Sequence, residues 1–248
     1  MTESQGKTQL CPLQLMAVIE KIQDATSIQQ LLSAAIENTD MKMVSYHHIP
    51  GPGVNDPKSL PRHFSYNLPQ VLENFIKSVK LTRDDPGVVA AFSEGTPIWI
   101  SDLLEHQLVK NVPPHQANVK ALLDLTTDGL LLALYGPAGR KGYTFVTFGK
   151  AKDHFDPLFE WQVQSMLQML HVRYCLILKD LQDTVRLTKR ETDVLELVVL
   201  GKTNPEIGII LNISKNTVAS YVKDIFLKLQ TSDRVTAALR AQALNLVA

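Results

Sequence analysis

Apolar residues recur at helical spacing through four short blocks in the last quarter of the chain. In Leu187 to Lys202, Val194, Leu195, Val198 and Val199 share a face, Thr188 and Glu191 stand at capping-box spacing, and Gly201 ends the block. Thr203 to Leu229 reads as two helices around a tight turn at Asn212-Ile213. Asn204 suits the cap of the first helix and Pro205 its first position, where a missing N–H leaves nothing unpaired; Ile207, Ile210 and Leu211 form its packed face. Ser214 caps the second helix, which buries Val218, Tyr221, Val222, Ile225 and Leu229 and presents Lys215, Asn216, Ala219, Ser220, Lys223 and Leu227 on its other side. Ser232 to Leu244 makes a fourth helix with a small-residue face at Ala237, Ala238 and Ala241, a surface on which two copies could pair. This is the layout of a helix-turn-helix, whose second helix enters the DNA major groove. A helical hairpin without DNA contact is the plainer alternative.

The first two thirds of the chain pattern differently. Helices are predicted over Pro12 to Ile22 and Ser27 to Asn38, then a strand over Met41 to Ile49 and a Gly/Pro/Asn/Asp loop from Pro50 to Pro61. Amphipathic helices follow over Leu68 to Val79 and Asp85 to Ser93. Ile98 to Ile100 and Gly129 to Phe148 supply three more strands, the last two joined at Gly136 to Gly142. That glycine-rich stretch joins strand to strand, so it is a hairpin turn and not a phosphate loop. Phe155 to Leu181 is a long helix with Trp161, Met166, Met169 and Leu170. A helix pair, an antiparallel sheet and further helices make an α–β–α sandwich with a possible cavity between sheet and helices.

Length and composition fit a soluble protein of one large or two ordinary domains, with 248 residues and 25 basic against 25 acidic side chains. From Thr184 onward nine basic residues face six acidic ones, a balance of +3, so the preceding residues carry −3. That asymmetry favours DNA contact by the C-terminal part. Residues 1–10 are polar and no apolar run is long enough to span a membrane, which points to the cytoplasm. The two cysteines, Cys11 and Cys175, read as buried free thiols. Neighbouring His47 and His48 point to opposite faces of a strand, with no cysteine or carboxylate nearby in sequence, so no metal site is predicted. No Ser-His-Asp, Cys-His or paired-carboxylate constellation suggests an enzyme, and no cofactor motif is present.

The run L-T-K-R-E, V-L, G-K-T-N, E-I, I-S-K-N-T-V and S-D-R between Leu187 and Leu244 resembles the LuxR-type four-helix DNA-binding domain. The resemblance implies DNA contact by Thr203, Asn204, Lys215, Asn216, Thr217, Ser220, Lys223 and Lys228. The chain departs from it at Pro205, Ala219 and Leu227, where Lys or Arg is frequent in the family.

A second resemblance covers residues 12–175. N-L-P, D-P and P-I-W-I-S-D, followed by D-G-L and Y-G-P-A-G, are similar to the acyl-homoserine-lactone-binding domain of LuxR-type quorum-sensing regulators. It implies that Asp85, ahead of Pro86, accepts a ligand amide N–H; capping of the helix by Asp85 is the alternative, and one carboxylate can do both. Leu72 and Ile76 stand where the family carries a Tyr and a Trp, and Leu68 where a further Tyr is common. Trp99 falls one residue before the family's lactone-binding Trp, with Ile100 in its place unless a bulge restores the register. Gly129 matches a family glycine, and Phe145 replaces a small or hydroxylated residue. The implied ligand set is Asp85, Trp99, Tyr66, Leu68, Leu72, Ile76, Val88, Gly129 and Phe145, a pocket less polar than the family's.

The fold class is therefore α+β: an N-terminal α–β–α sandwich with an antiparallel sheet (1–175), a linker (176–186), and an all-α four-helix helix-turn-helix domain (187–248). The expected function is transcription regulation by a homodimer on a double-stranded operator. Its signal is a small apolar or acyl-homoserine-lactone-like molecule, or none. A phosphorylation-controlled response regulator, or a partner-controlled one, would share the same DNA-binding tail.

Overall fold

The structure is a computed structural model and describes residues 41–51, 62–78, 85–180 and 185–247, with Ile19, Gln30 and Ser33. The helices expected over 12–22 and 27–38, most of the loop from Pro50 to Pro61, Cys11 and residues 181–184 lie outside the described residues; Ile19, Gln30 and Ser33 are themselves helical. The chain divides into two compact units, one mainly up to Ile177 and the other mainly from Leu178.

Five strands form one antiparallel sheet: β1 (Met43–Ile49), β2 (His63–Tyr66), β3 (Ile98–Trp99), β4 (Gly129–Tyr135) and β5 (Lys141–Thr147), in the order β2-β1-β5-β4-β3. β1, β4 and β5 are buried along almost their whole length because both faces are covered. Register follows from the pairing of Leu131 and Ser45 with Phe145 and of Ala133 and His47 with Tyr143. On that face pack α1 (Gln70–Ser78), α2 (Pro86–Glu94) and α3 (Pro113–Thr126), around Met43, Leu72, Val88, Leu131 and Phe145. The opposite face carries Tyr46 and His48, which meet Tyr174 of α4 (Phe159–Asp180) edge-on. Strand β2 and helix α3 have no counterpart among the elements predicted above. β2 is only four residues long, and α3 has no fully buried residue, so its apolar face is diluted.

In the C-terminal unit α5 (Lys189–Val199), α6 (Asn204–Leu211), α7 (Lys215–Lys228) and α8 (Arg234–Ala243) enclose a core of Val194, Leu195, Val198, Ile207, Val218, Ile225 and Leu229. The capping box at α5 is complete: Thr188 N–H donates to Glu191 Oε2 at 2.7 Å, and Glu191 N–H donates to Thr188 Oγ1 at 3.3 Å. Three local expectations are corrected. Thr203, not Asn204, is the cap of α6, with Glu206 closing the box, which moves Pro205 to the second position. Ile210 is 53% exposed, because the packed face runs through Ile207 and Gly208. Ala237 and Ala241 are fully buried in the unit's own core, so the small-residue face of α8 packs inward. The turn at Asn212 is left-handed (φ 53°), which asparagine tolerates. Gly208 is required beside it, since a Cβ there would lie 2.8 Å from the Ile213 carbonyl oxygen.

Candidate functional site

Helix α7 is capped by Ser214, whose Oγ accepts the Thr217 N–H at 3.1 Å, and it is held by Val218 and Ile225 in the core. The opposite side leaves Lys215, Asn216, Thr217, Ala219, Ser220 and Lys223 exposed. Spacings of three and four put Asn216, Ser220 and Lys223 along one stripe, with Lys215 and Thr217 flanking it at the N-terminal end. A donor-and-acceptor stripe with an N-terminal positive end is suited to base edges and phosphates.

Lys228 does not belong to that stripe. Its ammonium lies 2.7 Å from Glu191 Oε2, and the Glu191 side chain is almost wholly buried. Burial works against that carboxylate's charge, yet hydrogen bonds from Lys228 and Thr188 hold its pKa below the usual range. Lys228 thereby links α7 to α5 through this ion pair. Asn204 is also engaged: its Oδ1 accepts from the Arg234 guanidinium at 3.2 Å, while a second Arg234 nitrogen donates to the Lys202 carbonyl. Thr203 Oγ1 donates to Glu206 Oε2 at 2.6 Å, so both residues at the start of α6 serve local structure.

In the N-terminal unit a cavity of about 50 Å³ lies between the sheet and α1, α2 and α3. Phe75 and Ile76 come from α1, and Asp85 to Val88 from the start of α2. Ile100, Leu103 and Val109 come from the segment after β3, His115, Asn118, Val119 and Leu122 from α3, and Leu131 and Phe145 from the sheet. Asp85 caps α2, its Oδ1 accepting the Gly87 N–H at 2.9 Å. Burial pushes the Asp85 carboxyl above its ordinary range, against the opposing pull of the Gly87 and Val88 N–H groups and of His115.

Four of the nine ligand residues inferred above, Ile76, Asp85, Val88 and Phe145, line this cavity. Leu72 is packed into the surrounding core at 2% exposure, and Leu68 rests against it. Tyr66 sits on the edge strand β2 opposite Val44. Gly129 is fixed by the sheet: a Cβ would come within 2.4 Å of the Val146 carbonyl oxygen and 3.0 Å of the Phe145 ring. Trp99 turns away. Ile98 pairs with Leu131 and Trp99 with Leu130, so alternation sends the indole to the α4 side, while Ile100 faces the cavity. The indole N–H donates to Glu160 Oε2 at 2.6 Å, and the ring stacks on Phe155 with centroids 5.6 Å apart. The cavity residues that the sequence reading missed are chiefly on α3. Pro113-Pro114 followed by Val119, Leu122 and Leu123 at helical spacing was the available signal.

The histidines are also redistributed. His47 stacks between Tyr143 and His63, with centroids 4.5 and 4.4 Å away. His48 faces α4, where His171 and the thiol of Cys175 lie with it; the ligating atoms of the three fall within 4.8 Å of one another, all buried. His171 Nδ1 is 2.7 Å from the Tyr46 hydroxyl. A cysteine does therefore stand beside His48, brought there by the long helix and invisible in local sequence.

Residues 185–241 match the family model described as bacterial regulatory proteins, luxR family. Regulatory protein SdiA of Escherichia coli is 26% identical over 181 residues, 71% of this chain and 65% of SdiA. The quorum sensing-dependent transcriptional regulator VjbR of Brucella ovis is 31% identical over 113 residues, covering 45% and 43%. The transcriptional regulatory protein LiaR of Bacillus subtilis is 48% identical over 61 residues, covering 25% and 29%. The matched stretches thus span less than two thirds of these relatives. The crystal structure of E. coli SdiA superposes with a TM-score of 0.68 at 20% identity, over 96% of this chain and 98% of that one. SdiA in complex with octanoyl-rac-glycerol gives 0.64 at 20% identity, over 98% and 97%. No helix among the described residues is long and apolar enough to cross a membrane. The chain carries a LuxR-family helix-turn-helix domain behind an N-terminal domain with the fold of SdiA.

Proposed function

We propose that the protein is a DNA-binding transcription regulator, acting as a homodimer, whose N-terminal domain senses a small, largely apolar molecule in the cavity beneath α1, α2 and α3. The observation that carries this reading is Asp85, a carboxylate set into an otherwise mostly hydrocarbon wall, within a SdiA-like fold joined to a LuxR-family DNA-binding domain. SdiA has been crystallised with octanoyl-rac-glycerol, an acyl chain on a small polar head. Leu72, Ile76 and Phe145 stand where polar or small residues are frequent in the family, which makes the pocket more apolar than the family's and leaves a homoserine lactone ring fewer partners. Lys215, Asn216, Thr217, Ser220 and Lys223 would read the operator. A ligand that prefers the binding-competent dimer raises its population by that difference in affinity.

Control without a ligand is the second reading, and the size of the cavity favours it. Ligand pockets usually enclose about 300–1,000 Å³, against about 50 Å³ here. Binding must therefore displace side chains such as Phe75, Ile76 and Leu122. Phosphorylation control finds less support, because a receiver domain needs a parallel sheet with βα crossovers and this sheet is antiparallel. Mass spectrometry of small molecules extracted from the natively expressed protein tests the choice. Co-purification of an apolar molecule that raises the melting temperature and changes operator affinity is the expected result. No bound molecule, with phosphotransfer or a protein partner altering DNA binding instead, would replace it.

A further inference from the structure

The polar side chains that reach the cavity come from two places, Asp85 at the head of α2 and His115 with Asn118 on α3. His115 and Asn118 are three residues apart, so they share a face with Val119 and Leu122 and stand about one turn apart. The Nδ1 atom of His115 is buried and makes no hydrogen bond. A buried ring nitrogen without a partner is unfavourable, and such atoms call for an explanation. Asp85 has one oxygen on the Gly87 N–H, and among the described residues its carboxylate makes no ion pair with His115. The two groups therefore line the same small space without bonding each other. Around them stand Ile76, Leu122 and Phe145, which offer only hydrocarbon.

We infer that His115 and Asn118 form a second polar anchor of the pocket, and that the ligand is a neutral acyl amphiphile whose compact head carries a donor for Asp85 and, close by, an acceptor or hydroxyl for His115. This rests on the sensing function proposed above. A free fatty acid fits poorly, since its carboxylate would face that of Asp85. A simple ester fits poorly for the opposite reason, having no donor for Asp85. A hydroxylated head on an ester or amide meets both walls. His115 thereby selects the head group, a discrimination that a hydrocarbon pocket cannot make, because a site built for hydrogen bonds rejects analogues that leave its groups unpaired.

The test uses the full chain with three probes of equal chain length: 1-octanoyl-rac-glycerol, methyl octanoate and octanoate. Calorimetric titration of the parent should show the glyceride binding at least tenfold more tightly than the ester, with octanoate weakest. His115→Leu should abolish that preference by weakening the glyceride at least tenfold, and His115→Gln, which keeps a donor and an acceptor, should retain most of it. In the parent, the His115 Cε1–H resonance should move on adding the glyceride and stay in place with the ester, a readout that needs no variant to fold. If the glyceride binds, but His115→Leu keeps the preference and the resonance is still, then water satisfies Nδ1 and the inference falls while ligand sensing stands. If none of the probes binds the parent or raises its melting temperature, both fall together.

Discussion

The indole N–H of Trp99 donates to Glu160 Oε2 at 2.6 Å, and this bond ties strand β3 to helix α4 on the side of the sheet away from the cavity. Trp99 is 3% exposed and is surrounded by Phe148 and Phe155. Its large apolar body and single donor are thus both satisfied without a ligand. Since neighbouring strand residues face opposite sides, the position that could have offered a donor to a ligand is occupied by Ile100. The one-residue offset from the family pattern is a change of face.

Trp99→Phe should therefore lower stability and leave sensing alone. Losing the indole donor leaves Glu160 without that bond and should reduce the unfolding free energy by about 1–3 kcal/mol. Affinity for 1-octanoyl-rac-glycerol should stay within about twofold. Urea unfolding and calorimetric titration measure the two effects separately. A large loss of affinity with unchanged stability would place the indole in the pocket.

Phe145 controls the volume of the site. It is 4% exposed, lies against the cavity and pairs with Leu131 and Ser45 across the sheet. Phe145→Ala should destabilise the ligand-free protein by about 3–5 kcal/mol, because the neighbours only partly collapse into the space. The same space should admit longer chains. We expect 1-dodecanoyl-rac-glycerol, four carbons longer than the octanoyl probe, to leave the melting temperature of the parent unchanged at micromolar concentration and to raise that of the variant. Equal responses of the two would mean that Phe145 does not restrict entry.

What could be read from the sequence divides along the same physical lines. Caps, turns and helical periodicity are local, so the four C-terminal helices, the Thr188–Glu191 box and the Ser214 cap were legible. The β4–β5 hairpin was legible from its turn, and the cap at Asp85 from the proline beside it. The ion pair of Lys228 with Glu191 was not legible, because the two lie on different helices 37 positions apart and no local pattern links them. The inward packing of Ala237 and Ala241 was not legible either, because small residues serve equally on a pairing surface and where helices of one domain meet. The cavity was half legible. Asp85 announces itself, whereas His115 and Asn118 lie on a helix whose apolar face is weak, and only the fold carries them to Asp85.

The pH dependence of stability should show His47. Its folded pKa is lowered to about 3 by burial, with the nearby His63 adding to the effect, against an ordinary 6.5. Between these values the unfolded chain binds a proton that the folded chain refuses. Stability from this group is complete above pH 6.5 and is lost as pH falls towards 3, with a slope of at most about 1.4 kcal/mol per pH unit. His63, also lowered mainly by burial, works in the same direction, whereas Tyr143 titrates far above this window. His47→Phe should flatten the stability profile between pH 4 and 6, as read from urea midpoints at each pH, and an unchanged slope would mean that His47 is protonated in the folded state.

Three lysines of α7 should separate into three behaviours. Lys223 is exposed on the stripe with Asn216 and Ser220, and Lys223→Ala should weaken operator binding by about 1–3 kcal/mol and relax base preference, as loss of a guanine contact does. Lys215 is exposed at the first position of the helix. Lys215→Ala should weaken all sequences alike and reduce the slope of log affinity against log salt by about 0.9, the signature of one lost phosphate contact. Lys228→Ala should do neither. Its ammonium is held by Glu191, a buried carboxylate that would lose its charged partner, so the variant should unfold more easily by about 1–3 kcal/mol while its folded fraction keeps both affinity and salt slope. Fluorescence anisotropy with operator and scrambled duplexes over a salt series, beside urea unfolding of each variant, distinguishes the three. A Lys228→Ala protein of full stability with a reduced salt slope would return that residue to the DNA-contacting set, and parental affinity in both Lys215→Ala and Lys223→Ala would remove α7 from the groove.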